Sequence, residues 1–167
     1  MNSEARTTIA LDDLRDAWAR VQANRGAPGA DGVSLAAFSD HLQQELARLA
    51  TEYASRTYVP FALLQVTIPK RSGGGRVLAY PTVRDRVLQT AVMQRLQPLF
   101  EAEFQDASFG YRRGRSVKAA IRRVRDLRDA GFRWVVDADI DQFFDRIPHS
   151  RLLRDVAALV PDPWARL

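Results

Sequence analysis

Apolar positions recur at helical spacing at Leu11, Leu14, Trp18 and Val21, which predicts a first helix. The pattern breaks in Asn24-Arg25-Gly26-Ala27-Pro28-Gly29-Ala30-Asp31-Gly32, a turn-rich stretch that cannot continue a helix. Ser34 is placed to cap a second helix with Leu35, Phe38, Leu42, Leu46 and Leu49 on one face, and such a face is core by default. The segment from Leu63 to Pro69 alternates weakly, and Val77-Leu78-Ala79-Tyr80 follows it across Lys70-Arg71-Ser72-Gly73-Gly74-Gly75-Arg76. This reads as a hairpin with a glycine-rich basic tip. Thr82 and Ser116 each precede a further helix, the first carrying Val87, Leu88, Ala91, Val92, Leu96 and Leu99, the second Val117, Ala120, Ile121, Val124 and Leu127. Both helices are expected to pack on a sheet. From Phe132 to Ile140, Trp134, Val136 and Ala138 alternate against Arg133, Val135, Asp137 and Asp139, predicting a strand, and a last helix is predicted from about Ser150 to Val160. Helices and strands mix without a strand-helix repeat, and no internal repeat, low-complexity tract or linker interrupts them, so the expected fold class is α+β in one compact unit.

A chain of 167 residues has room for a core, since chains near this size remove roughly two thirds of their unfolded surface from water. Apolar residues make up 46% of it, but no run approaches the ~20 needed to cross a bilayer. The N-terminus lacks a basic-then-apolar signal pattern, so a cytoplasmic location and no membrane partner are expected. The absence of Cys excludes a disulfide framework and thiolate zinc sites.

Charge adds a partner class. The net charge is +5, the pI is near 10.2, and all the cations but Lys70 and Lys118 are Arg, whose planar fork suits phosphate. Between Tyr111 and Arg133 the only acids are Asp126 and Asp129, against Arg112, Arg113, Arg115, Lys118, Arg122, Arg123, Arg125, Arg128 and Arg133. Arginine richness as such can be genomic composition, but that local imbalance fits a polyanion, with a solvated helix face as the plain alternative.

Three constellations can carry chemistry. In Val135-Val136-Asp137-Ala138-Asp139-Ile140-Asp141-Gln142-Phe143-Phe144-Asp145 an apolar strand delivers carboxylates into a turn, where they can hold Mg²⁺, a hard cation that takes oxygen ligands. Capping of the turn by solvated acids is the plain alternative. Calcium is excluded, because Gln142 stands where a calcium loop requires Gly and Pro148 takes the last ligand position. The basic tip, with Lys70 and Arg76 on its flanks, can close over a triphosphate, or be a solvated turn; its spacing is not that of a P-loop. In Ser108-Phe109-Gly110-Tyr111-Arg112-Arg113-Gly114-Arg115-Ser116, aromatics interleave with Arg before a helix start, which suits phosphate or a single strand, although a helix start alone accounts for the small residues.

Taken in order, five blocks resemble the opening motifs of group II intron-type reverse transcriptases: Gly26 to Ser34, Ile68-Pro69-Lys70 with Arg76, Tyr80-Pro81-Thr82-Val83-Arg84-Asp85-Arg86-Val87-Leu88-Gln89, Phe109-Gly110-Tyr111-Arg112, and Asp139-Ile140 with Phe143-Phe144-Asp145. The resemblance spans about residues 15 to 155. It implies the fingers and first part of a right-hand polymerase palm, incomplete, with a small antiparallel sheet. Residues 1–131 would be an N-terminal extension, the fingers and the start of the palm, and residues 132–167 the palm strand with the first catalytic Asp and the helix after it.

By the same resemblance Asp139 is the first catalytic carboxylate and a Mg²⁺ ligand, joined by the Ile140 backbone carbonyl. Phe144 would lie under the incoming sugar and exclude a 2′-hydroxyl, while Lys70 and Arg76 hold the deoxynucleoside triphosphate. Arg84, Arg86, Arg112, Arg113 and Arg115 would line the path of an RNA template and DNA primer through backbone contacts, which carry no sequence information. Arg113 departs from the Pro common in the family at that position. A Gln-Gly-x-Pro block and the Tyr-x-Asp-Asp hairpin that complete the family's metal site do not occur between Asp145 and Leu167. The expectation is therefore a fragment of an RNA-directed DNA polymerase, inactive alone. The alternatives are a non-catalytic nucleic-acid-binding remnant, or one piece of a split polymerase whose partner subunit supplies the remaining palm and thumb.

Overall fold

The structure, a computed structural model, describes residues 9–69 and 73–160. Two compact units divide between Leu96 and Gln97 and are taken separately.

In the first unit α1 runs Leu11–Ala23, and the Ala10 N–H donates to the Asp13 carboxylate at 2.8 Å, satisfying a backbone donor that the helix leaves open. Ser34 caps α2, Leu35–Asp40, by accepting from the Ala37 N–H at 3.1 Å. The predicted single helix is in fact two. His41 leaves helical geometry at φ −118° and ψ 22°, and α3 starts afresh over Leu42–Ala54. The break leaves Phe38 against Trp18, ring centroids 5.1 Å apart, while Leu46 and Leu49 enter the same core.

The hairpin is present: β1 (Leu64–Pro69) pairs antiparallel with β2 (Gly75–Tyr80), with Leu64 opposite Tyr80 and Ile68 opposite Arg76. Then α4 runs Val83–Glu101 and buries Val83, Val87, Leu88 and Ala91 in its first half. These side chains join Leu14, Trp18 and Val21 of α1 with the buried residues of α2 and α3 in one cluster. The expectation that this helix packs on a sheet is thereby corrected, because its apolar face meets helices and β1 contributes no buried residue. A two-stranded ribbon offers too little apolar area to found a core.

In the second unit Ser116 caps α5, Val117–Asp129, through the Ala119 N–H at 3.1 Å, and a 3₁₀ turn at Phe144–Arg146 precedes α6, His149–Leu159. Neither α5 nor α6 has a buried residue, so the sheet packing expected of α5 is also not observed. The predicted strand over 132–140 is corrected as well: the segment carries no ladder, and Trp134 is 95% exposed. Alternation sets which residues share a face, but a strand exists only when a second chain takes its N–H and C=O groups, and among the described residues none does. The mixed helix and hairpin composition is that of an α+β chain, and among the described residues no helix is long and apolar enough to cross a membrane.

Candidate functional site

Arg76 sits on β2 and is exposed, whereas Lys70 lies outside the described residues. Below the hairpin, the start of α4 holds a carboxylate that is 1% exposed, Asp85. Its Oδ2 accepts from the Thr82 hydroxyl at 2.8 Å and from the Phe61 N–H at 3.2 Å, and its Oδ1 accepts from the Tyr58 hydroxyl. The Asp85 N–H returns a bond to Thr82 Oγ1 at 3.2 Å, so Thr82 and Asp85 cap α4 reciprocally. Burial first, then the hydrogen bond and charge of Asp85, push the Tyr58 phenol well above its ordinary range.

The arginines occupy different settings. Arg84 is 8% exposed, pairs with Glu52, and lies over the rings of Tyr58 and Phe61 at 5.2 and 5.9 Å. Arg86 donates to the carbonyls of Ala27 and Thr82 at 2.6 and 3.4 Å, tying the loop after α1 to the start of α4. Gly29 presses on the same place, where a Cβ would stand 2.5 Å from the Thr82 Cα. In the second unit Arg112 donates to Glu101 Oε1 at 2.6 and 3.1 Å and to the carbonyls of Gln105 and Ser108 at 2.7 and 3.0 Å. These bonds hold the Glu101 carboxyl below its usual range. Arg115 reaches Asp106 at 3.3 Å and covers the Phe109 ring, while Arg113 is exposed. Of the arginines expected along the template and primer path, Arg84, Arg86, Arg112 and Arg115 are thus engaged by their own fold, while Arg113, like Arg76 on β2, faces solvent.

Asp139 is exposed, and its Oδ1 accepts from the Ile140 N–H at 3.0 Å. Phe144 is 74% exposed and stands edge-on to Phe143, centroids 5.4 Å apart. Oxygen donors are the right chemistry for Mg²⁺, but they are too few: among the described residues no three His, Cys, Asp or Glu side chains gather. The described residues do not by themselves fit a two-metal centre.

Composition and spacing did not single out Asp85, Tyr58 or Glu52. Only Asp85 left a signal in the sequence, as the fourth residue of a Thr-x-x-Asp cap; the other two reach the site by tertiary packing.

Residues 68–166 match the profile of the family described as "Reverse transcriptase (RNA-dependent DNA polymerase)". Protein YkfC of Escherichia coli (strain K12) is 37% identical over 139 residues, which is 81% of this chain and 36% of that protein. The group II intron-encoded protein LtrA of Lactococcus lactis subsp. cremoris is 28% identical over 138 residues, 82% of this chain and 23% of that protein. Nuclear intron maturase 1, mitochondrial, of Arabidopsis thaliana is 30% identical over 82 residues, 49% of this chain and 11% of that protein. The chain therefore spans between about a tenth and a third of the length of these relatives.

Proposed function

This chain belongs to the reverse transcriptase family, and from that premise we propose that it forms the fingers and the opening of the palm of a group II intron-type enzyme that copies RNA into DNA. Residues 1–131 are assigned to the extension, the fingers and the start of the palm, and residues 132–167 to the segment bearing the first catalytic carboxylate. The observation that carries this reading is the family match running unbroken from the hairpin to beyond the acidic turn, over residues 68–166.

In the complete enzyme Asp139 and the Ile140 carbonyl would be what this chain contributes to a Mg²⁺ site, with further carboxylates supplied from elsewhere. Bound there, the metal would stabilise the charge that develops in phosphoryl transfer. Lys70 and Arg76 hold the triphosphate, and the Phe144 ring selects deoxynucleotides by excluding a 2′-hydroxyl. Of the arginines along the template and primer path, Arg113 would meet a phosphate directly; Arg84, Arg86, Arg112 and Arg115 act by holding the backbone that the template and primer follow.

Asp139→Ala in the complete protein is expected to abolish primer extension while RNA binding stays within about twofold, because a phosphate-contacting surface does not depend on one carboxylate. Retained synthesis would remove the central assignment. The shortage of metal donors favours a second reading for these residues on their own, namely RNA binding without synthesis. That activity would weaken steeply with salt and need no Mg²⁺. Co-purification of a chain carrying the remaining palm and thumb would instead mark one piece of a split polymerase.

A further inference from the structure

A hairpin that buries nothing along β1 cannot take its orientation from packing along its length. Its ends must set it. Phe61 enters the hairpin three residues before β1, Thr82 leaves it two residues after β2, and both are bonded to Oδ2 of the same buried carboxylate. Tyr58, further back on the entering segment, bonds the other oxygen. Asp85 itself is fixed at the start of a helix whose next turns, through Val87, Leu88 and Ala91, lie in the core.

We propose that Asp85 is a positioning residue for nucleotide binding: its carboxylate clamps both ends of the hairpin to the core and so fixes where Arg76 meets a triphosphate. The nucleotide half of this inference rests on the polymerase reading above; the clamp does not.

The test is hydrogen exchange of the β1 and β2 amides in the full chain, beside a dATP–Mg²⁺ titration. Asp85→Ala removes every bond of the clamp, and since each is a modest net contribution, hairpin exchange is expected to rise about tenfold or more while α1 and α3 amides change little. The affinity for dATP should fall by a similar factor. Asp85→Asn should restore most of both, because its carbonyl still accepts from the Phe61 N–H and the Thr82 hydroxyl and its amide can donate to the Tyr58 hydroxyl oxygen. Where Asp85→Ala does not fold, Tyr58→Phe, which deletes one bond, is expected to speed hairpin exchange about fivefold.

Unchanged hairpin exchange would overturn the proposal. So would exchange that rises equally in α1 and α3, since Asp85 would then merely support the whole unit. A hairpin that loosens in a complete enzyme whose wild type binds no dATP upholds the clamp and overturns the polymerase reading instead.

Discussion

The guanidinium of Arg84 pairs with the carboxylate of Glu52 inside the first unit, where the arginine side chain is 9% exposed and the glutamate 21%. Burial, and then the like charge of Arg48, lower the Arg84 pKa, but an arginine does not give up its proton in a protein. The pair joins α3 to the start of α4, and the Arg84 Nε is buried without a partner among the described residues. Removing the carboxylate would leave a cation with little water around it. Glu52→Ala is therefore expected to destabilise the first unit by about 3 kcal/mol, read by urea denaturation with the buried Trp18 as the fluorescent reporter. Arg48→Ala, which removes the exposed partner of the same glutamate, should cost less than about 1 kcal/mol.

Gly29 tests how the loop after α1 is seated. A Cβ there would stand 2.5 Å from the Thr82 Cα and 2.7 Å from its N, both backbone atoms that cannot swing aside. Gly29→Ala should cost about 1–3 kcal/mol by overpacking. It should also lift the loop from α4, so that Arg86 loses its bond to the Ala27 carbonyl, which shows as faster amide exchange around Gly32. A melting temperature equal to wild type would mean that the loop and the helix start can separate freely.

Elements written into neighbouring residues were legible: Ser34, Thr82 and Ser116 each cap a helix because a hydroxyl two or three residues from an N–H needs no distant partner. The hairpin was legible for the same reason. Features that need two distant segments were not. The alternation in 132–140 is that of a strand, but no described segment pairs with it. Arg84 and Arg112 have the composition of phosphate ligands, yet Glu52, 32 residues away from Arg84, and Glu101, 11 away from Arg112, take their charge. The hub role of Asp85 depends on Tyr58 and Phe61, which arrive from 27 and 24 residues away. Charge counts cannot separate a cation used by the fold from one offered to a partner; burial does.

Alkaline pH should expose the bond between Tyr58 and Asp85. An unfolded tyrosine ionises near 10, whereas burial and Asp85 hold the folded phenol protonated to higher pH. Above 10 the unfolded chain has released a proton that the folded chain keeps, so stability falls with rising pH. The contribution is whole below 10 and lost as pH climbs through the folded value. Urea midpoints measured from pH 9 upward should fall, and Tyr58→Phe should remove part of that slope. The chain helps the measurement: with Lys70 and Lys118 the only lysines and 4 tyrosines in all, few other groups titrate there. An identical slope in Tyr58→Phe would show that the phenol is not held by Asp85.

Acid should act on the other unit through Glu101. Its carboxyl is held low chiefly by the hydrogen bonds from Arg112, so the folded chain keeps it ionised where the unfolded chain, near 4.5, has taken up a proton. The contribution is present above 4.5 and lost as pH falls through the lower folded value. Arg112 spans from Glu101 to the carbonyls of Gln105 and Ser108, so losing one end of this brace frees the turn that presents Arg113. Amides between Ser108 and Arg115 should lose protection below pH 4.5 while those of α1 keep it, and Glu101→Gln should show the loosened turn already at pH 7. Arg112→Lys, which keeps the charge but not the fork, should resemble Glu101→Gln, because a single ammonium cannot reach the carboxylate and two carbonyls in the same geometry. If Arg112→Lys behaves as wild type, charge alone holds the turn and the guanidinium fork is not needed there.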